Sequence, residues 1–526
     1  MSSFIDDVKN MLNSTKTLTE NGAVAYETSG SKLLDINFAV SGLRSASEKD
    51  IEDYFVKAYF ENPTLAVVWL FFARDVRGGM GERRLFRVCL NWLAKNKPDV
   101  VVKILHLIPE YGRYDDLFDI LDIDEIGDKA IDFICQKFIE DVELNNMGKP
   151  ISLLAKWMPS INTSSAKSRA LARKFVNVLG MDERTYRKTL AKLRASSHII
   201  ESMISSNKWD TVDYEHVPSQ ANLKYKNAFL KHDYTRRLEF LNKLTNGEAK
   251  INASTVFPHD IFSKYTDKNA YYCNNVSKYD ATYEEMWKAL PNYVSDVDNG
   301  NTICVVDGSG SMMSTIGNTS VMALDVAQAL GIYFAERMSD SPFKNKFITF
   351  SSRPQLVDFS KCTTLMDKIN LIGQYTECAN TNLEATLDLL LETAKKNNTP
   401  QKDIPNLLIL SDMQFDSMVD VGYSHYDRFY GSNFSDAKLA FMEKMEKRWN
   451  AAGYKLPRIT YWNIMGGCGR QTTVPVQRSE CGVALVSGFS PAIASMVYSC
   501  KLDPYDALVE KLESERYKPI FNAIAA

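Results

Sequence analysis

Residues 303–312 read Ile-Cys-Val-Val-Asp-Gly-Ser-Gly-Ser-Met: four apolar side chains in a row, then at once a carboxylate and two hydroxyls at alternate positions, Asp307, Ser309 and Ser311. A short unbroken apolar run bounded by glycine predicts a strand buried on both faces, as in parallel sheets covered by helices. The polar continuation then falls on the loop at the C-terminal end of that strand, where open α/β sheets bind their ligands. One carboxylate and two hydroxyls suit a hard divalent cation and leave part of its coordination shell to an outside donor. The alternative is that Asp307 and Ser309 cap the helix that follows.

The D-x-S-x-S pattern resembles the metal-ion-dependent adhesion site of von Willebrand factor A domains, whose remaining ligands come from two later loops. Asn380-Thr381-Asn382-Leu383 opens a helical pattern through Leu383, Leu387 and Leu390, so Thr381 stands near a helix N-terminus, as the second-loop threonine of that family does. Leu407-Leu408-Ile409-Leu410-Ser411-Asp412 is a second apolar strand ending in a carboxylate and matches the last metal-loop aspartate. The resemblance therefore implies that Asp307, Ser309, Ser311, Thr381 and Asp412 converge on one Mg²⁺, or on Mn²⁺ or Ca²⁺. Helix capping explains neither Thr381 nor Asp412.

Strand and helix go on alternating around these loops. Val321 to Met338 is amphipathic and leads to a strand at 346–350; 387–394 is helical; 458–464 and 483–486 are further strands. Such alternation predicts βαβ units and a doubly wound parallel sheet. A polar, aromatic insert at 415–433, with Phe434 beyond it, directly follows Asp412, where a lid or a partner-recognition surface fits, and equally a plain solvated connection.

The first 290 residues carry a different period. Apolar positions recur at helical spacing over 51–61, 64–73, 81–94, 100–108, 114–121 and 130–144, and again over 165–179, 182–195, 199–205 and 220–243. Short turns between them predict antiparallel helix pairs, the pattern of a HEAT-like α-solenoid or ring, without a strict internal repeat. The expected order is an arm at 1–48, helical repeats at 49–290 and the α/β domain at 291–526, with 252–290 as connection: an α + α/β architecture.

At 526 residues the chain exceeds a single core. It contains no apolar run near membrane-spanning length and no secretory leader pattern. Nine cysteines without a C-x-x-C pair predict a reducing, cytoplasmic setting and no structural zinc.

Charge is uneven. Residues 151–250 hold eighteen Lys and Arg against nine Asp and Glu, on a chain whose net charge is −3. Arg184, Arg187, Lys188, Lys192 and Arg194 follow one another along one helical pattern, and Lys224, Lys226, His232, Arg236 and Arg237 lie among Tyr225 and Phe229. Cations for phosphates and rings for unpaired bases are what single-stranded RNA requires. A solvated helix face, with the rings in the core, is the competing reading.

A helical-repeat half followed by an A-like domain resembles the Ro autoantigen, or TROVE, architecture. The segments at 74–83 (RDVRGGMGER), 110–116 (EYGRYDD), 156–160 (KWMPS) and 411–416 (SDMQFD) are similar to those of an uncharacterised Ro-like family of phages, bacteria and plants. That resemblance covers nearly the whole chain. It implies the fold, the metal site and a noncoding RNA partner, without residue-by-residue RNA contacts. Taken alone, the arginines and glycines of 74–84 serve either a phosphate or an internal ion-pair knot at a helix junction. The Gly112 and Asp115-Asp116 segment suits a helix end and a helix start, and Trp157-Met158-Pro159 a packing corner.

With six histidines and no H-E-x-x-H, G-x-S-x-G or P-loop, common hydrolase and nucleotide-binding signatures are missing. The expected function is a non-enzymatic RNA-binding adaptor whose metal face docks a protein partner's carboxylate. The alternatives are a protein-only scaffold with metal-dependent ligand binding and a metal-dependent phosphodiesterase, the latter short of the carboxylates such chemistry uses.

Overall fold

A computed structural model describes residues 16–18, 24–266, 278–294, 301–317, 319–339, 341–350, 353–375, 382–413, 441–465, 483–498 and 503–526. It has the expected α + α/β composition, in two compact units interleaved along the chain. One unit takes Met1–Ala66, Phe257–Tyr279 and Leu290–Leu512; the other takes Val67–Val256, Asp280–Ala289 and Glu513–Ala526. Three contiguous blocks, arm then helices then sheet, were expected instead.

The first unit opens with a small antiparallel pair, β1 (Lys16–Leu18) and β2 (Val24–Tyr26). Among the described residues its main sheet has six strands: β3 (Thr302–Asp307), β4 (Lys346–Phe350), β5 (Gln355–Asp358), β6 (Asn406–Ser411), β7 (Ile459–Asn463) and β8 (Val483–Ser487). Their spatial order is β5-β4-β3-β6-β7-β8. All neighbours run parallel except β5, which returns antiparallel along β4 at the edge. Every residue of β3 is buried, so both faces are covered, as the apolar run required. Helix Ala323–Arg337 lies so near the sheet that a Cβ on Gly331 would come within 2.7 Å of Val306 Cγ2.

The arm expected over 1–48 contains a buried helix, Lys32–Leu43, capped by the Ser31 hydroxyl. Ten of its residues are buried, with the apolar Leu33, Leu34, Ile36, Phe38 and Val40 fully so. Apolar residues all around a helix leave it stable only inside a core. Ser41 bonds through its N–H to Ser487 Oγ (3.2 Å) and through its hydroxyl to the carbonyl of Asn463 (3.0 Å), which fastens the helix to the ends of β7 and β8.

The second unit is helical, built from Pro63–Arg74 and Arg83–Asn96 through Gly127–Asn146, Ala166–Val178 and Glu183–Ser196. The block expected over 220–243 is two helices, Ser219–His232 and Tyr234–Thr245, parted at Asp233. Helix Glu183–Ser196 is N-capped by Asp182 and buries Tyr186, Leu190 and Leu193 on one stripe. Tyr186 stacks on Phe138 of helix Gly127–Asn146 at 5.9 Å.

The glycine- and arginine-rich junction at 74–84 is an internal knot. Asp75, 1% exposed, accepts from the backbone of Arg77 and Gly78 and from the Arg516 guanidinium and the Tyr517 hydroxyl. Asp116, fully buried, takes Arg74 at 2.8 Å and Arg87 at 2.7 Å.

Candidate cation site and basic helix

From β3 the chain moves outward to β4 and β5, whereas β6, β7 and β8 extend the sheet the other way. The switch point therefore lies between β3 and β6, and the carboxyl ends of those two strands flank the crevice that such a reversal opens. Asp307 ends β3, and Ser411 ends β6 with Asp412 next. Asp307 and Asp412 are both fully buried; Ser309 is 3% exposed and Ser311 is partly exposed.

Internal hydrogen bonds hold the donors in place. Asp307 Oδ2 accepts from the Ser411 hydroxyl at 2.6 Å, and its Oδ1 accepts from the Ser309 N–H at 2.9 Å. The hydroxyls of Ser309 and Ser311 are 3.0 Å apart. Met413 N–H donates to Ser411 Oγ at 3.1 Å, and Met413 takes a left-handed φ of +65°, a region side chains other than glycine seldom occupy. Strain of that kind collects at sites that the surroundings over-determine. Burial, then the charge of Asp412, push the Asp307 carboxyl up to about 7, against the pull of its hydrogen bonds from Ser411 and Ser309. Two buried carboxylates with hydroxyls beside them suit a hard cation, which would offset their repulsion. Thr381 and the insert at 415–434 lie outside the described residues. Among the described residues no three His, Cys, Asp or Glu side chains gather into a metal cluster.

The polar row continues beyond the predicted ligands. Ser411 of β6, Asn463 of β7 and Ser487 of β8 are register partners, and all three are fully buried. Asn463 Nδ2 donates to the carbonyl of Phe38 at 3.1 Å, and Ser487 Oγ is bonded to Ser41 Oγ at 3.0 Å. Sequence reading overlooked Asn463 and Ser487. Their signal was the same as that of Asp307: an apolar strand that ends on a polar residue.

The ten predicted RNA contacts divide by environment. Arg184, Arg187, Lys188 and Lys192 are exposed, on the side of helix Glu183–Ser196 away from Tyr186, Leu190 and Leu193. Among the described residues Arg184, Arg187 and Lys188 have no carboxylate within 4.0 Å, and Lys192 Nζ bonds to Asn146 Oδ1 at 2.8 Å. Lys224 is exposed and lies over Tyr225; His232 is exposed and stacks on Trp209 at 4.6 Å.

The other four are used inside the fold. Arg194 gives Nε to the carbonyl of Ala155 (2.8 Å), Nη2 to that of Met158 (2.7 Å) and Nη1 to Ser160 Oγ (2.8 Å). Arg236 holds the carbonyls of Trp209 (2.9 Å) and Val212 (2.6 Å) together with Asp233. Lys226 pairs with Asp280. Arg237 is fully buried among Tyr214, Phe229 and Phe240, and burial lowers its guanidinium to about 10. At those four positions the charges are satisfied within the fold.

No described helix is long and apolar enough to cross a membrane. The structure is similar to the crystal structure of the Deinococcus radiodurans Ro (RSR) protein over 92% of this chain and 99% of that chain, with a TM-score of 0.45 and 11% identity. An uncharacterized protein of Acanthamoeba polyphaga mimivirus is 29% identical over 542 residues, 96% of this chain and 88% of its own. The domain of unknown function DUF7788 matches residues 301–516, and the domain of unknown function DUF2828 matches residues 19–124 and 128–299. The second match spans more than half of the chain, and the chain belongs to the DUF2828 family.

Proposed function

We propose that the protein is a non-enzymatic RNA-binding adaptor, with RNA held by helix Glu183–Ser196 and a partner's carboxylate taken at a Mg²⁺ bound near Asp307. The observation that carries the RNA half is the exposed row Arg184, Arg187, Lys188 and Lys192, of which the first three have no carboxylate partner among the described residues. Cations left unneutralised by the fold are available to release counterions from a phosphate backbone. The resemblance of the sequence motifs to Ro-like proteins supports the same partner.

For the metal half, Asp307, Ser309, Ser311 and Asp412 would hold the ion, with Thr381 as a fifth ligand, and the ion would supply a positive centre open to an added carboxylate. The chain's own contribution is orientation: Ser411 and the Ser309 N–H hold the Asp307 carboxylate in place.

The RNA half is tested by purifying the protein at low salt and measuring co-purified nucleic acid, then repeating with R184E/R187E/K188E. RNA that survives the charge reversal overturns the assignment to this helix; protein free of nucleic acid that also fails to bind added RNA favours a protein-only scaffold. The metal half predicts that Mg²⁺ raises the melting temperature of the wild type and has no effect on Asp307→Asn. An equal Mg²⁺ shift in both proteins removes Asp307 from the ligand set.

A further inference from the structure

Arg113 has no role in the adaptor reading so far, yet its surroundings are unusual for an exposed arginine. The aspartates that follow it are engaged elsewhere: Asp116 holds Arg74 and Arg87, Asp115 holds Arg87 at 2.9 Å and also Arg83, and Asp119 lies 3.3 Å from Arg87. Arg113 gives Asp116 only its backbone N–H, at 3.0 Å. Its guanidinium lies over the ring of Trp157, 4.8 Å from the centroid, with no ion-pair partner among the described residues. Four arginines thus meet three carboxylates, and the cation left over is the one on the indole.

The backbone turn that carries the indole is fixed. Arg194 clamps the carbonyls of Ala155 and Met158 and the hydroxyl of Ser160, and Tyr186 donates its hydroxyl to the carbonyl of Pro159 at 2.9 Å. Both clamps come from helix Glu183–Ser196, so the turn that carries Trp157 lies directly on the helix that bears the free basic row. Lys156 Nζ is 5.8 Å from the same ring and pairs with Glu201 at 3.3 Å.

A guanidinium that lies over an aromatic ring, 4.8 Å from its centroid, and has no ion-pair partner among the described residues keeps N–H groups for a ligand, and its planar fork matches two oxygens of a phosphate. Holding it there beforehand reduces the side-chain entropy that binding would otherwise cost. The adjoining cationic helix favours a polyanion over a single carboxylate.

We propose that Arg113, presented by Trp157, is a bidentate receptor for a phosphodiester of the RNA strand, extending the contact surface beyond helix Glu183–Ser196. The assignment rests on the RNA reading above and adds a fork to it. It gives a purpose to Arg194, whose three hydrogen bonds position the platform instead of touching RNA.

The test uses the full chain and a labelled oligouridylate, followed by fluorescence anisotropy at low ionic strength. Arg113→Met is expected to weaken binding about tenfold, and Arg113→Lys about threefold although the charge remains, because the fork geometry is lost. Trp157→Phe keeps a flat platform and should stay near wild type, whereas Trp157→Leu should approach the Arg113→Met value. Melting temperatures identify any variant that has lost its fold, and Arg113, which makes no ion pair, should be replaceable without such loss. If both Arg113 variants bind like wild type while R184E/R187E/K188E does not, the fork is wrong and the RNA reading stands. If Arg113→Lys binds like wild type and Arg113→Met does not, Arg113 is a point charge and the bidentate assignment is overturned. A wild-type protein that binds no oligouridylate overturns both.

Discussion

Two stretches of the helical unit look alike as text and behave oppositely as structure. Helix Glu183–Ser196 and the pair Ser219–His232 and Tyr234–Thr245 are both rich in Lys and Arg with aromatic residues among them. In the first, the ring of Tyr186 is in the core and the cations at 184, 187, 188 and 192 share the opposite stripe. In the second, the rings of Phe229 and Phe240 close around Arg237, and Lys226 and Arg236 are tied to Asp280 and to Asp233 with two carbonyls. Local charge density is the same kind of signal in both. What separates them is whether acidic and aromatic partners reach the cations from other elements: Asp280 and Tyr214 come from outside the two helices.

The comparison breaks most visibly at Arg237. Arg237→Glu would place a carboxylate inside an aromatic cage and should cost more than about 4 kcal/mol, enough to unfold the helical unit in a thermal melt; a melt near wild type would mean the guanidinium is not buried as described. Next, R184E/R187E/K188E should weaken RNA binding about a hundredfold at low salt and lower the slope of log affinity against log salt by about 2, while the melting temperature stays put. A large loss of stability there would make this helix the same kind of element as the second pair.

Smaller changes sharpen the contrast. Asp280→Asn keeps the helix-capping oxygen but ends the ion pair with Lys226, at a cost of about 1 kcal/mol and without effect on RNA affinity. Burial pulls the Lys226 ammonium down, but the hydrogen bonds it donates to Asp280 and Tyr283 outweigh that and hold the group above its ordinary 10.5. A raised cation contributes stability that is complete below pH 10.5 and lost as pH rises through the folded value. The wild type should therefore lose part of its advantage over Asp280→Asn in alkaline melts, and a constant gap would argue against the pair. The least effect is expected for Lys192→Gln, about a twofold loss of RNA affinity, since its ammonium already bonds to Asn146.

The sheet was the legible part of this molecule. Strand β4 has the expected ends, and β6, β7 and β8 lie within a residue or two of expectation, because continuous apolar runs ending on polar residues have few other solutions. Asp307 and Asp412 announced themselves by standing at the ends of such runs. Helix Lys32–Leu43 escaped because its apolar residues do not form a stripe, although Ser31 before it was a usable cap. The edge strand Gln355–Asp358 is four residues long with one buried position, too short to show alternation. Helix Leu365–Ile372 had a capping box in Thr364 and Asp367 that went unread. At the basic helices the text could not tell free cations from captured ones, because capture depends on residues tens of positions away.

Interleaving has a consequence for how the protein is made. Ser41 leaves the ribosome some 446 residues before its partner Ser487. At roughly 5–20 residues per second, the buried helix Lys32–Leu43 waits on the order of half a minute for the strands that cover it. Arg516 and Tyr517 likewise reach Asp75 only 441 and 442 residues after it. Neither unit can therefore complete itself on the nascent chain, and a recombinant fragment cut at the apparent boundary near residue 290 would remove a buried element from each. Expression of the helical part alone calls for grafting Glu513–Ala526 back on, and expression of the sheet part alone for retaining both Met1–Ala66 and Phe257–Tyr279.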